Sequence, residues 1–259
     1  MIYRKKEKPS PTLELIKLSP NLVTLLAICI GLFAIKFSFE GKYIESAGLV
    51  VLAAFFDAVD GRLARLLNST SKFGAQLDSL ADFINFGVTP GFVVYNWLIF
   101  INADKVFQSL AWSLVLLFAI CTAIRLARFN VDLEGPVKKN EILDKYFFKG
   151  IAAPCGASLA MLPIIMTHEF GQGFYSLSYN IVAFTILLAL LMASRVPTIS
   201  IKKIPVKNEY VYATLVLLGM LLIGVIVKTW ITLTILGLTY IASIPVTIFF
   251  YLKICRNNK

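Results

Sequence analysis

Charge is what this sequence has least of. Only 15% of its 259 residues are Asp, Glu, Lys or Arg and 58% are hydrophobic, whereas a soluble domain carries roughly 25% charged residues. That shortfall excludes an ordinary soluble globule and points to a membrane protein. Histidine is nearly missing: His168, beside Glu169, is the only one, and it reads as incidental to function. The four cysteines, Cys29, Cys121, Cys155 and Cys255, stand far apart. With neither CxxC nor metal-ligand spacing, they read as small buried hydrophobes. No small-residue cleavage site follows MIYRKKEKPSPTLELIKLSPN, so no cleavable signal peptide is predicted and the first span is expected to stay attached. Inverted repeats and low-complexity tracts are also missing. The formal charge of +10 raises the question of nucleic acid. The basic residues form short clusters between apolar runs, with no basic helix or aromatic-interleaved sheet to organise them, and that excludes such a partner.

What is present is a series of apolar runs, each long enough to cross a bilayer, about 17 to 25 residues. They are placed at 21–38, 46–66, 83–101, 107–129, 149–167, 177–195, 209–228 and 230–251. The expected fold is therefore an all-α polytopic bundle of about eight transmembrane helices. Gly87 and Pro90 are expected to interrupt the third. Alternate connections hold 21 of the 25 Lys and Arg residues; the other set holds only Lys36, Lys42, Lys105 and Lys228. The positive-inside bias then places both termini in the cytoplasm, in a multi-pass protein of the inner membrane. Three segments are expected: a cytoplasmic stretch 1–20 that includes a candidate interfacial helix, a catalytic membrane domain 21–207 with six spans, and two further spans with a short tail over 208–259. The polar stretch 130–148 reads either as a mobile loop over a site or as a solvated connector.

The chemistry concentrates in DAVDGRLARLLNSTSKFGAQLDSLAD, residues 57 to 82. Asp57 and Asp60 are three apart and Asp78 and Asp82 four apart, so each pair shares one helix face. If the two helices pack together, four carboxylates converge at one membrane depth. An aspartate at the bilayer centre costs roughly 2.5 to 3.5 kcal/mol, less near the interface, and clustering adds repulsion. Hard divalent cations, Mg²⁺ or Mn²⁺, are the simplest compensation, and four carboxylates have room for two ions. The alternative is pairing with Arg62, Arg65 and Lys72. Gly61, Ala64 and Gly74 would clear bulk from one surface for a flat ligand, or serve ordinary helix packing. Arg125 and Arg128, three apart near the end of span four, can meet a phosphate or a carboxylate with paired donors, or anchor the inner face.

The pattern DxxDGxxAR, then eight residues, then GxxxDxxxD is met in full by Asp57, Asp60, Gly61, Ala64, Arg65, Gly74, Asp78 and Asp82. It resembles the signature of the CDP-alcohol phosphatidyltransferase family. The resemblance implies that Asp57, Asp60, Asp78 and Asp82 hold metal ions and that Asp82 also acts as general base. It further implies that Asp60, Gly61, Ala64, Arg65 and Gly74 bind the CDP moiety. STSKFGAQLDSLADFINFGVTP, AIRLARFNV, FFKGIAAPCGA and ASRVPTISIKK are similar to the branch of the family that makes phosphatidylserine, over about residues 15 to 207. The implied reaction transfers the phosphatidyl group of CDP-diacylglycerol to the hydroxyl of L-serine and releases CMP. Glycerol 3-phosphate or an inositol phosphate is the alternative acceptor. Arg125 and Arg128 would contact the lipid phosphate or the serine carboxylate, and a homodimer is the implied assembly.

Overall fold

The computed structural model describes residues 11–67, 69, 71–102, 104–134, 147–199 and 211–257. Positions 135–146 of the polar connector, with Lys138, Lys139 and Lys145, lie outside the described residues, as do Lys202, Lys203 and Lys207. Helix α1 (Pro11–Phe39) continues without a break through residue 20 into the first expected span. It turns at Gly41, whose φ of +76° is the left-handed conformation that favours glycine, and returns as α2 (Tyr43–Leu66). At the turn Lys42 donates to Glu40 at 2.8 Å, with Lys36 3.6 Å away. The Lys42 hydrogen bond holds the Glu40 carboxyl below its ordinary 4.5. Any stability from this exposed cluster is therefore present above that value and lost as the pH falls through the depressed one.

Lipid tails are as apolar as leucine, so close packing rather than exclusion of water holds such helices together. The α1–α2 pair shows this directly. Ala27 and Ala34 on α1 and Ser46, Ala47, Val50 and Ala53 on α2 are buried, and Ser46 Oγ donates across the pair to the Ala34 carbonyl at 2.6 Å.

Helices α3 (Lys72–Phe83) and α4 (Thr89–Ile101) are joined by a π-helical turn over Ile84–Val88. Together they make one apolar helix of 30 residues, Lys72–Ile101. The expected interruption at Gly87 and Pro90 is thus corrected. Proline lacks the N–H that would serve the carbonyl four residues back; Thr122 Oγ1 on α5 (Lys105–Glu134) lies 3.4 Å from that Phe86 carbonyl while it donates to the Phe118 carbonyl of its own helix at 2.8 Å. Gly87 and Gly91 let α5 approach: a Cβ on Gly87 would stand 3.1 Å from Thr122, and one on Gly91 3.3 Å from the Val115 Cα.

The expected fifth span, 149–167, is a shorter, broken helix pair. Strand β1 (Phe147–Lys149) pairs antiparallel with β2 (Pro197–Ile199), a small ribbon the all-α expectation did not contain. The chain then turns at Gly150, φ +77°, into α6 (Ala153–Ala160) and α7 (Leu162–Phe170). Pro163 cannot donate to the Leu159 carbonyl, and the helix breaks at Met161. Helices α8 (Ser178–Ala193), α9 (Val211–Val227) and α10 (Thr229–Asn257) complete the chain.

Counting α3–α4 and α6–α7 as one each, eight helices stand among the described residues. Four contain stretches long and apolar enough to cross a membrane: Ser19–Phe39, Lys72–Ile101, Lys105–Asp132 and Thr229–Tyr251. Helices α8 and α9 are apolar but shorter. The protein is an all-α, multi-pass membrane bundle. Its fully buried centre includes Phe86, Leu98, Phe118 and Met192, while Phe33, Phe55, Leu116 and Leu187 point outward as lipid-facing residues do.

Candidate active site

The last turns of α2 and the first turns of α3 meet against α1, and there the acids converge. One oxygen from each of Asp57, Asp60 and Asp78 lies within 4.8 Å of the other two. Asp60 is buried and accepts from Thr24 Oγ1 of α1 at 2.7 Å through Oδ2; its Oδ1 is buried with no hydrogen-bond partner. Asp82, one turn beyond Asp78, lies within hydrogen-bonding reach of Asp57 and within electrostatic range of Asp78 and Arg125. Its Oδ1 is likewise buried and unpartnered.

Pairing with nearby bases does not account for this arrangement. Among the described residues, Asp60, Asp78 and Asp82 form no ion pair; the bridges present are those of Glu40 at the opposite end of α2. Arg65 directs its Nε to the Gly61 carbonyl of its own helix at 2.8 Å. An unpartnered buried carboxylate oxygen costs about 1 to 3 kcal/mol or more, a cost that a cation held by the cluster would offset. Two oxygens on opposite sides of a Mg²⁺ stand roughly 4.2 Å apart, twice its ~2.1 Å bond length. The three-aspartate oxygens lie within 4.8 Å of one another, and such hard donors suit a divalent cation. Asp82 stands outside the three-oxygen group, beside it.

The other expected site residues divide. Gly61 and Arg65 are exposed on α2, and a Cβ added to Gly61 would meet nothing within 4 Å. Ala64 is half-buried on the same stretch. Gly74 lets α3 approach α1: a Cβ there would stand 3.0 Å from Asn21 Oδ1 of α1 and 3.2 Å from Ser71 Oγ. Ser71 caps α3 by accepting the Gly74 N–H at 2.9 Å. Arg125 donates from Nε to the Ile151 carbonyl at 2.5 Å. Arg128 donates to the Ala193 and Ser194 carbonyls and so caps the C-terminus of α8. His168 lies against Trp230 and beside Glu45, at the start of α2, roughly 18 Å along the helix from Asp57.

The CDP-alcohol phosphatidyltransferase model matches residues 17–241. The chain belongs to this family. A Mycobacterium tuberculosis protein named CDP-diacylglycerol–serine O-phosphatidyltransferase is 32% identical over 233 residues, 89% of this chain and 78% of that protein. A Helicobacter pylori protein of the same name is 32% identical over 242 residues, covering 93% and 95%. One from Methanocaldococcus jannaschii is 36% identical over 139 residues, covering 54% and 56%. The family match extends past residue 207 into α10, further than the motifs alone reach.

Two participants in this phosphatidyltransferase site escaped the sequence reading. Thr24 holds Asp60, and Asn21 closes on Gly74. Both are polar residues at the start of an otherwise apolar span, three apart and so on one helix face. That pairing was the available signal.

Proposed function

We propose that this protein transfers the phosphatidyl group of CDP-diacylglycerol to the hydroxyl of L-serine, giving phosphatidylserine and CMP. The observation that carries the reading is the convergence of Asp57, Asp60 and Asp78 within 4.8 Å, with Asp82 adjoining, in a chain of this family. The names of its relatives supply the acceptor. The bundle crosses the inner membrane eight times with both termini and the site on the cytoplasmic side, where 21 of 25 basic residues collect. Residues 21–207 form the catalytic domain, 1–20 precede it, 208–259 add two spans, and the assembly is a homodimer.

Asp57, Asp60, Asp78 and Asp82 would hold the divalent cations, Mg²⁺ or Mn²⁺ and two in number. When bound, the ions supply positive charge to a pyrophosphate and its departing CMP. The chain's own residues do the rest. Gly61, Ala64 and Arg65 present an open strip of α2 to the CDP moiety, and Gly74 lets α3 close on α1 behind it. The Asp82 carboxylate takes the proton from the serine hydroxyl as that oxygen bonds to the phosphorus bearing diacylglycerol, while the bond from that phosphorus to CMP breaks. Arg125, beside Asp82, receives the acceptor.

Purified protein with labelled CDP-diacylglycerol and a panel of acceptors tests the reading. CMP release with L-serine that stops on chelation and returns with Mg²⁺ or Mn²⁺ is expected. Turnover with glycerol 3-phosphate or an inositol phosphate in place of serine would overturn it.

A further inference from the structure

Within electrostatic range of Asp82, Arg125 stands with most of its hydrogen-bonding capacity unspent. A guanidinium has five N–H donors. Nε serves the Ile151 carbonyl, and the two terminal nitrogens have no hydrogen-bond partner among the described residues. The side chain is in electrostatic range of Asp82, Cys155, Tyr240 and Arg128.

Tyr240 comes from α10, a helix that carries none of the signature residues. It arrives here because α10 packs on β2 and on α7. Its ring lies against the core, and its phenol is within hydrogen-bonding reach of Thr198 and Cys155. Thr198 is buried and gives its hydroxyl hydrogen to the Gly150 carbonyl at 2.9 Å, so toward Tyr240 it can only accept. A charged acceptor placed between Tyr240 and Arg125 would draw the phenolic hydrogen away from Thr198, because hydrogen bonds to ionised groups are roughly twice as strong.

Charge counting then restricts what fits. Arg125 is the base that faces Asp82, and Arg128, one turn on and in electrostatic range of Arg125, spends one terminal nitrogen on the carbonyls at the end of α8. A phosphorylated polyol brings about two negative charges to the edge of a cluster that already holds Asp57, Asp60, Asp78 and Asp82. An amino-acid zwitterion brings none in net, and its carboxylate matches the planar guanidinium fork. We propose that Arg125 and Tyr240 together clasp the carboxylate of an α-amino-acid acceptor, which makes α10 the element that selects the acceptor. The inference rests on the serine-transfer reading and adds to it the residue that discriminates.

The test is Tyr240→Phe in the full-length protein, compared with wild type on L-serine and on serinol, which has the hydroxyl and the amine without the carboxylate. Loss of one hydrogen bond to a charged group should raise the KM for L-serine about tenfold or more. The KM for CDP-diacylglycerol and the melting temperature should stay as in wild type. The preference for serine over serinol should shrink by the same factor, which a purely structural role would not produce. Should Y240F fail to fold, Arg125→Lys, which keeps the charge and loses the fork, must shrink that preference instead. A serine KM within twofold of wild type, or equal losses on serine and serinol, would overturn the clasp while leaving the serine reading intact. Wild-type protein that ignores L-serine would end both.

Discussion

Thr24 offers the most direct test of how the fold holds its carboxylates. Its hydroxyl gives its hydrogen to Asp60 Oδ2 at 2.7 Å while its oxygen lies 3.0 Å from the Pro20 carbonyl. One hydrogen cannot serve both equally, and the shorter contact to the charged oxygen wins. With Oδ2 held, the buried and unpartnered Oδ1 is the atom left to face a cation. Thr24→Val keeps the volume and removes the donor. A hydrogen bond to a charged group contributes about 1.5 to 3 kcal/mol, and at about 1.4 kcal/mol per tenfold that is roughly 10- to 100-fold in affinity. Partners that orient metal ligands cost a similar factor when lost. Calorimetric titration of the purified variant with Mn²⁺ should therefore show binding weakened by about that factor, with the metal-activation curve for CMP release moved alike. Thr24→Ser should restore both. Equal metal affinity in T24V and wild type, or a T24S protein as impaired as T24V, would refute the idea that this hydroxyl orients the ligand.

Three further outcomes follow from the same coordinates. Asp82→Asn should lower turnover by about 10²- to 10⁴-fold while CDP-diacylglycerol binding stays measurable; wild-type turnover would remove Asp82 as the base. Gly31→Ala should destabilise the bundle by roughly 1 to 3 kcal/mol, because the new methyl would stand 2.2 Å from Asn85 Oδ1, a buried side chain in the π-turn. An unchanged melting temperature in detergent would show that Asn85 moves aside freely. Gly150→Ala should cost more than the ~1 kcal/mol of an ordinary glycine replacement. Its φ is +77° and its Cβ would meet the Ser194 and Met192 carbonyls at 2.8 and 3.0 Å. Loss of the β1–β2 ribbon should show first as faster proteolysis near residue 150, and wild-type resistance there would count against it.

What the sequence made legible was local. The carboxylate pairs could be read because three- and four-residue offsets on a helix fix a shared face whatever the helix packs on. The eight helices could be placed because apolar runs are continuous. What it did not reveal depended on partners distant along the chain. Pro90 looked like a break because the π-turn that carries the helix past it packs on Thr122 of α5, a helix distant in sequence. Thr24 looked like one more residue of a lipid-facing run because Asp60 is 36 positions away. The three-residue strands were too short to show an alternating pattern, and they flank Gly150 and the end of α8, where one register satisfies both. The break at Met161 was within reach, since Pro163 marks it by a local rule.

The geometry also separates two tasks that a phosphatidyltransferase must combine. The groups proposed for the metal ions and the CDP moiety come from α1, α2 and α3, and Thr24, Gly74 and the capped start of α3 tie those helices to one another. The groups proposed for the acceptor come from α5 and α10, and they are tied instead to the backbone of 150–151 and to β2. Asp82 lies within electrostatic range of both sets. A substitution in α10 can therefore alter which alcohol is bound without moving the carboxylates that hold the donor, whereas a substitution in α1 or α3 disturbs the donor site for every acceptor. The same division assigns mutant phenotypes in advance. Changes at Thr24 or Gly74 should depress turnover with serine and with any substitute acceptor by one common factor, and changes at Tyr240 should alter their ratio. A Tyr240 variant that lowers all acceptors equally would overturn the clasp, and a Thr24 variant that changes the ratio would mean that the donor and acceptor halves of the site are not independent.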